Sequence, residues 1–314
     1  METIGDKRDP EPKTVEDKWL KVKLLVTGAS GLLGTRVCEL AMQENYEVIS
    51  VHSQHSPQFG TPLRLDLVDR TATGEAFEKT KPDVVVHAAA LSDVDKCERE
   101  RELAWKINVE GTSTIARLCH KYDCFLVYVS TDYVFDGDRG SYRETDPTNP
   151  INHYGVTKLR GEDRVKQSDT VHCITRTSVI YGSNPAAGKT NFGLWVIEKL
   201  KKKEEVKTVT DQWNSPTLNT NLASMILEIV DKRHTGTIHL AGATRLSRHE
   251  FAKEIARKFN LDQIFLKPVS CKEMPWLAKR PKDSSLNVDK ANQTLTSRPL
   301  NIDEALSKLK TEMR

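Results

Sequence analysis

The chain has no apolar run long enough to cross a bilayer, and no apolar signal core stands at its amino terminus. Its 47 basic and 44 acidic residues give a net charge of only +3, so neither sign of charge dominates. This balance argues against nucleic acid or an anionic membrane as the main partner. With 314 residues, 38% of them hydrophobic, the chain can bury one large α/β core or two coupled ones.

The sequence also lacks cysteine pairs and metal-site spacing. Its six cysteines include no C-x-x-C pair, and most of them fall within apolar patterns, which predicts buried free thiols in a reducing compartment, the cytoplasm. No group of His, Cys, Asp or Glu has the spacing of metal ligands, so we expect no catalytic metal. Residues 1–20 are rich in charge and are predicted to form a disordered leader.

Apolar segments typical of buried strands alternate with amphipathic segments typical of helices. The predicted strands are Val22–Val26, Glu47–Val51, Asp83–His87, Phe125–Ser130 and Val171–Arg176. The predicted helices lie near Leu32–Glu44, Thr73–Lys79, Leu103–Tyr122 and Tyr154–Lys166. This alternation predicts an α/β fold, a Rossmann-type doubly wound parallel sheet over residues 21–180.

The pattern loosens after Tyr181, where loops rich in Pro, Asn, Thr and Ser separate the helices. The helices predicted there are Asn191–Lys203, Asn219–Val230, Arg248–Phe259 and Ile302–Leu309. We expect residues 181–314 to form mainly a smaller C-terminal α/β substrate-binding lobe. Two short strands, near residues 206–210 and 236–240, are expected to return to the main sheet.

The most informative segment follows the first predicted strand, where residues 27–34 read Thr-Gly-Ala-Ser-Gly-Leu-Leu-Gly. A strand that passes through a glycine-rich turn into a helix is typical of dinucleotide binding. Gly28 permits the tight turn, Gly31 lets backbone N–H groups approach a pyrophosphate, and Gly34 lets the helix pack close to its strand. The helix N-terminus favours the anion. The alternative is a glycine-rich turn that binds no ligand.

A second pattern, Tyr154-x-x-x-Lys158, places two side chains on one helix face, about one turn apart. A lysine ammonium favours a nearby phenolate, so we expect Lys158 to lower the pKa of Tyr154. Such a tyrosine can exchange a proton with a carbonyl oxygen while hydride moves at the carbon. Thr131, at the end of the preceding strand, can hold the same oxygen. The alternative is an exposed pair on an amphipathic helix.

These residues stand in the order found in the short-chain dehydrogenase/reductase superfamily, and the chain resembles its extended branch, which acts on nucleotide sugars. Longer segments resemble the dTDP-4-dehydrorhamnose reductase family within it. They are Ser130–Gly137 (S-T-D-Y-V-F-D-G), Tyr142–Asp146, Pro150–Lys158, Ala88–Ala90 with Val94–Lys96, Arg176–Ser178, Asp211–Trp213, and Arg280-Pro281 with Ser285–Asn287. The resemblance implies NADPH-dependent reduction of the 4-keto group of a nucleotide-linked 6-deoxyhexulose. That reaction would convert dTDP-4-dehydro-L-rhamnose to dTDP-L-rhamnose for carbohydrate biosynthesis.

The resemblance also implies a set of cofactor contacts. They are Gly28, Ser30, Gly31, Leu32, Leu33, Gly34, Asp66, Leu67, Ala88, Ala89, Ala90, Asn108, Tyr154 and Lys158. Asp66 and Leu67 would sit at the adenine, although a turn or N-cap role is the alternative for Asp66. Asn108 would orient Lys158 through a water molecule, or would simply cap or kink its helix.

The substrate side is implied in the same way. Thr131 and Tyr154 would hold the sugar ketone, and Tyr154 would donate the proton with support from Lys158. Ser92, Val94 and Tyr133 match positions that line the sugar pocket, with ordinary packing as the alternative. Residues 52–55 read His-Ser-Gln-His and include neither an acid for a ribose hydroxyl nor an arginine, which favours NADPH and leaves NADH as the alternative. His87 is expected to be packed rather than catalytic.

One departure from the family pattern leaves a second hypothesis about function open. Val179 stands where well-known members carry a tryptophan against the sugar, and the insertion from Ser183 to Gly188 follows it. The chain also resembles the regulatory beta subunit of methionine adenosyltransferase, so a non-catalytic NADP-binding subunit with an adenosyltransferase partner is the rival hypothesis. An epimerase or dehydratase of the extended branch is a third. By analogy with relatives we expect a homodimer.

Overall fold

The computed structural model describes residues 21–184 and 190–313. The predicted leader over 1–20, and residues 185–188 of the insertion, lie outside the described residues. Within them, no helix has the length and apolarity needed to cross a membrane.

A seven-stranded parallel sheet forms the centre of the fold. In chain order its strands are β1 (Lys23–Thr27), β2 (Glu47–His52), β3 (Thr61–Arg64), β4 (Val84–His87), β5 (Phe125–Thr131), β6 (His172–Thr177) and β11 (Gly236–His239). Their order across the sheet is β11-β6-β5-β4-β1-β2-β3. The predicted doubly wound Rossmann-type sheet is therefore confirmed, including the return of the chain near residues 236–240.

Both faces of this sheet are buried, because successive side chains along a strand point to opposite faces. In β5, Phe125 and Val127 enter one apolar core, which also contains side chains of helices α1 (Leu32–Gln43) and α8 (Asn219–Asp231). Leu126 and Tyr128 enter a second core on the opposite face. The helices that contribute to this second core are α2 (Arg70–Thr80), α5 (Thr112–Lys121) and α6 (His153–Lys166). Two shorter helices, α3 (Val94–Arg99) and α4 (Arg101–Trp105), contact α6.

The helix predicted over Leu103–Tyr122 is interrupted. A π-helical segment, Lys106–Gly111, separates α4 from α5 and contains the buried Asn108. Such segments occur often at functional sites. The third strand was not predicted, because only Leu63 of β3 is partly buried and the strand lies at the sheet edge beside β2.

The C-terminal part adds a third apolar core and short strand pairs. Its remaining elements are β7 (Ile180–Tyr181), α7 (Phe192–Lys201), β8 (Val206–Val209), β9 (Trp213–Asn214), β10 (Thr217–Leu218), β12 (Leu246–Ser247), α9 (Arg248–Phe259), β13 (Leu266–Val269), α10 (Asp289–Thr294) and α11 (Ile302–Glu312). The expectation that residues 206–210 return to the main sheet was wrong. Strand β8 pairs with β13 instead, because Val206 and Leu266 bury their side chains in this third core with α9 and α11.

Candidate active site

The turn after β1 is shaped by close backbone contacts. Gly28 has a φ of 70°, and a Cβ there would lie 2.9 Å from Cα of Ala89. A Cβ on Gly34 would lie 2.1 Å from the carbonyl oxygen of Gly28. Only glycine fits either position, so the turn and the start of α1 approach strand β4 closely.

The start of α1 presents backbone N–H groups beyond the carboxyl end of β1. Gly31 is the N-cap and has no side chain to occupy the helix end, and Ser30 and Leu32 are partly exposed beside it. The side chain of Leu33 belongs to the core, so only its backbone faces this end. A cradle of this kind, which a Cβ would fill, fits a dinucleotide pyrophosphate.

The second strand ends beside the same crevice. The Nδ1 atom of His52 is buried and has no hydrogen-bond partner among the residues the structure describes. His52 pairs in register with Arg64 of β3, whose side chain is exposed. The sequence pattern gave no arginine at this place, because Arg64 is brought there by a strand that was not predicted. Ser53 and His55 are also exposed.

Behind the turn, the neutral His87 joins β1 to the π-helical segment. The Thr112 hydroxyl donates to the carbonyl of Asn108 (2.7 Å), so it accepts from Nε2 of His87 (3.0 Å). The Nδ1 atom of His87 therefore accepts from the Thr27 hydroxyl (2.7 Å). Burial, with a smaller contribution from Lys158, lowers the pKa of His87 to about 3. His87 is packed, as predicted.

Asn108 connects the loop after β4 to helix α6. Its side-chain oxygen accepts from the backbone of Leu91 (2.8 Å), and its amide donates to the Leu91 carbonyl and to the Thr157 hydroxyl. Thr157 directly precedes Lys158. The π-helical segment agrees with the alternative that Asn108 distorts its helix, whereas a water-mediated contact with Lys158 stays a prediction.

Thr131, Tyr154 and Lys158 meet at the carboxyl end of β5. The Thr131 hydroxyl lies close enough to the Tyr154 phenol to influence its pKa, and the centroids of the Tyr154 and Tyr133 rings are 6.0 Å apart. Lys158 is buried beneath them, where its Nζ donates to the carbonyl of Val129 (2.7 Å). The fold therefore brings the three predicted catalytic residues together.

The expected effect of Lys158 on Tyr154 was wrong. Burial raises the pKa of Tyr154 above its ordinary value; the neighbouring Thr131 hydroxyl offsets this only in part, and Asp132 and Tyr133 raise it further. Burial lowers the pKa of Lys158 to about 7, against the attraction of Glu162. The physical reason is that Nζ of Lys158 turns to Val129 and the ring of Tyr128, whose centroid is 4.2 Å away.

A buried carboxylate links this centre to the C-terminal part. Asp132 accepts hydrogen bonds from the hydroxyls of Thr131 (3.0 Å), Ser178 (2.8 Å) and Ser284 (2.5 Å). Burial raises the pKa of Asp132, and these three hydroxyls lower it in part. Segments far apart in sequence are thereby held around Thr131.

A polar cluster around Tyr133 lines the side of the site away from the sheet. Gln212 donates to the Tyr133 hydroxyl (3.2 Å), and the charges of Arg248 and Arg280 partly offset the rise that burial causes in the pKa of Tyr133. Arg280 lies near Arg248 and forms an ion pair with Asp95 of α3 (3.1 Å). Guanidinium groups are suited to binding an anionic ligand.

The other predicted site residues vary in their surroundings. Asp66 is exposed, and its carboxylate accepts from the Val68 backbone (3.0 Å), which agrees with the alternative of a turn residue; Leu67 is buried in the second core. Ala88, Ala89 and Ala90 are partly buried at the end of β4. Ser92 is exposed, and Val94 is the first residue of α3.

Two features at the site had escaped the sequence reasoning. Val179 has a φ of 41°, a left-handed conformation that strains a β-branched side chain. Glu162 is a fully buried carboxylate, and its position four residues after Lys158 was the available signal. No group of three or more potential metal ligands occurs in the described ranges.

A Rossmann sheet, a glycine-rich turn and a Tyr-x-x-x-Lys helix that meets the end of β5 define an NAD(P)H-dependent oxidoreductase of the short-chain dehydrogenase/reductase class. Comparison with known proteins narrows this class. The RmlD substrate binding domain family matches residues 22–314, so the chain belongs to that family.

Three relatives illustrate the range of this family. A hypothetical dTDP-4-dehydrorhamnose reductase structure from Sulfolobus tokodaii is 41% identical, with a TM-score of 0.81 over 90% of this chain and 98% of that one. A dTDP-4-dehydrorhamnose reductase from Bacillus anthracis, in complex with NADP, is 32% identical, with a TM-score of 0.84 over 93% and 100%. Methionine adenosyltransferase 2 subunit beta from Bos taurus is 30% identical over 84% of this chain and 80% of its own length.

Proposed function

We propose that the protein uses NADPH to reduce the 4-keto group of a nucleotide-linked 6-deoxyhexulose, namely dTDP-4-dehydro-L-rhamnose to dTDP-L-rhamnose. The observation that carries the proposal is the meeting of the Thr131 hydroxyl with the Tyr154 phenol above the buried Lys158. The similarity to dTDP-4-dehydrorhamnose reductases supports the sugar and the cofactor.

The chain's own residues have separate tasks in this proposal. NADPH, when bound, supplies a hydride to C4 of the sugar. Tyr154 donates a proton to the C4 oxygen, and its raised pKa keeps the phenol protonated at neutral pH. Thr131 orients that oxygen, and Lys158 holds hydroxyls of the nicotinamide ribose.

The two ends of the cofactor are held in different ways. The backbone from Gly28 to Leu33 binds the pyrophosphate at the start of α1, with Gly34 packed behind it. Arg64, beside Ser53 and His52, supplies the positive charge that a 2′-phosphate requires, which favours NADPH over NADH. Asp66, Leu67 and Ala88 to Ala90 would flank the adenosine and nicotinamide.

The substrate lies between the catalytic residues and the arginines. Tyr133, Ser92 and Val94 would line the sugar, and Arg248 and Arg280 would bind the nucleotide diphosphate. Diphosphate recognition by two guanidiniums explains why an uncharged sugar ketone would be a poor substitute for the nucleotide-linked one.

A coupled assay tests the proposal. The ketosugar is generated in place from dTDP-glucose by the preceding dehydratase and epimerase, the protein and NADPH are added, and NADPH absorbance is followed. Steady consumption that stops when the ketosugar is exhausted is the expected result. Binding of NADPH without consumption, across nucleotide sugars of several bases, would overturn the proposal. Conversion of the sugar without net oxidation of NADPH would indicate an epimerase or dehydratase instead.

A second function, regulation of a methionine adenosyltransferase catalytic subunit, is favoured by the similarity to the bovine beta subunit and by the strained Val179 at the pocket. Purification with that catalytic subunit from the native source decides the point. A stable complex in the absence of ketosugar turnover would support regulation, and its absence beside active turnover would exclude it.

A further inference from the structure

Glu162 is the buried carboxylate nearest to the catalytic pair along their own helix. It follows Tyr154 by eight residues and Lys158 by four, so all three side chains lie on one face of α6. Its side chain is 0% exposed. Because an isolated charge in such a place is costly, its partners must account for its presence.

Three strong hydrogen bonds hold this carboxylate. One oxygen accepts from the Ser130 hydroxyl (2.7 Å) and from Nε of Arg176 (2.9 Å), and the other accepts from Nη2 of Arg176 (2.7 Å). Although burial alone would raise the pKa of Glu162, Arg176 and then Ser130 lower it below its ordinary value. The carboxylate is therefore ionised at neutral pH.

These bonds join three elements of the active site at one point. Ser130 directly precedes Thr131 at the end of β5, Arg176 lies at the end of β6, and Glu162 belongs to the helix that carries Tyr154 and Lys158. Strand β5 and helix α6 are thereby joined one residue before Thr131 and two turns after Tyr154.

The charge of Glu162 also acts on Lys158. The side chains that face Lys158 are His87 from β4, Tyr128 from β5 and Glu162 from α6. His87 is neutral and the phenol of Tyr128 is protonated, since burial lowers the pKa of the first and raises that of the second. Glu162 itself faces Arg176 from β6, Lys166 on α6 and the more distant His239 from β11.

We propose that Glu162 is a positioning residue: it clamps the strand that bears Thr131 against helix α6, and its negative charge, one turn after Lys158 on the same helix face, favours the ammonium form of Lys158. For turnover the inference rests on the proposed function, whereas its effect on NADPH binding does not involve the sugar.

The test compares three variants of the full chain, E162Q, E162D and S130A, by NADPH fluorescence titration across pH. In the wild type, affinity should fall as pH rises through about 7, where Lys158 loses its proton. E162Q removes the charge and should move this midpoint down by about one pH unit. E162D keeps the charge and should leave the midpoint in place. S130A removes one hydrogen bond without any charge and should also leave it in place.

Turnover then separates positioning from charge. With the ketosugar, E162D and S130A should lower kcat about tenfold with little change in KM, because the Thr131-to-Tyr154 geometry is loosened. An unshifted midpoint in E162Q, or the same shift in S130A, would overturn the charge role. If E162Q fails to fold, a shift in the pH midpoint of NADPH binding in E162D overturns the charge role of Glu162 equally. A protein that never consumes NADPH would refute the proposed reaction, yet the binding midpoints would still decide the role of Glu162.

Discussion

The cofactor half and the catalytic half of the active site rely on different chemical groups. On the cofactor side, the turn from Gly28 to Gly34 uses backbone groups and the absence of side chains. On the catalytic side, Lys158, Asp132 and Glu162 bring ionisable groups into the interior. The turn is specified within seven consecutive residues, whereas Asp132 accepts a hydrogen bond from the hydroxyl of Ser284, 152 residues away. Local spacing can therefore reveal the cofactor half and cannot reveal the network that supports the catalytic half.

The difference also has an energetic side. A backbone cradle tolerates little added volume, because its atoms are already in contact. A buried charge tolerates loss of its partner poorly, because removing one member of such a pair strands the other in an apolar surrounding. The cofactor half should thus be sensitive to size and the catalytic half to charge.

The largest effect of a single substitution at neutral pH on the cofactor half is expected where volume is added. Gly34→Ala places a Cβ 2.1 Å from the carbonyl oxygen of Gly28, which should cost about 3 kcal/mol and displace the turn. NADPH affinity, measured by fluorescence titration, should fall with it. Gly74→Ala is the matched control: it lies in α2 with open space around it and should stabilise by about 0.5–1 kcal/mol. Retained affinity in Gly34→Ala would refute the cradle.

A charge change at the cofactor half should act more selectively. Arg64→Gln should weaken NADPH binding about tenfold or more, since a charged hydrogen bond to a phosphate contributes about 1.5–3 kcal/mol, while NADH binding should change little. Arg117→Gln, an exposed arginine on α5, serves as the control. Equal losses for the two cofactors would show that Arg64 does not read the 2′-phosphate.

Between the halves, His87 should give stability a pH dependence. Its folded pKa of about 3 lies below the ordinary 6.5, so protonation favours the unfolded chain. Below pH 6.5, protonation of His87 in the unfolded chain should lower the free energy of unfolding by about 1.4 kcal/mol for each pH unit, down to about pH 3. His87→Asn should reduce that slope in urea titrations, and His120→Asn, on the surface, should not. Equal slopes in all three proteins would contradict the neutral buried imidazole.

The smallest effect is expected at Val179. Relief of its left-handed strain by Val179→Gly should raise the free energy of unfolding by about 1 kcal/mol, after the entropic cost of glycine. Thermal unfolding of Val179→Gly beside Ser141→Gly gives the comparison, because Ser141 has a similar φ of 46° without β-branching. A larger gain at Ser141 would show that Val179 is not strained.

Sequence reasoning reached the fold through repeated local patterns. The main strands and helices were found because their apolar periodicity is strong, and Gly28, Tyr154 and Lys158 were found because their spacing reports a turn or a helix face. Strand β3 was missed, since an exposed edge strand carries little periodicity, and Arg64 was missed with it. Strand β8 was assigned to the wrong sheet, because its partner β13 lies almost sixty residues further along the chain.

The pKa of Tyr154 could not be predicted from spacing alone. A Tyr-x-x-x-Lys pattern specifies that two side chains share a helix face, but not where the ammonium points. In the fold, Lys158 turns toward Val129 and Tyr128, and desolvation decides the pKa of the phenol. The direction of a pKa shift depends on the three-dimensional surroundings of the group, which the spacing of residues in the sequence does not specify.

The central claim is that the cofactor half and the catalytic half of the site are built separately. Its most direct test is to measure NADPH affinity and ketosugar turnover together in Tyr154→Phe. The phenyl ring preserves the packing against Tyr133 and removes only the proton donor. The expected result is an NADPH Kd close to the wild-type value and a loss of about 10²- to 10⁴-fold in kcat. Turnover that survives the substitution, or NADPH affinity that collapses with it, would contradict the account.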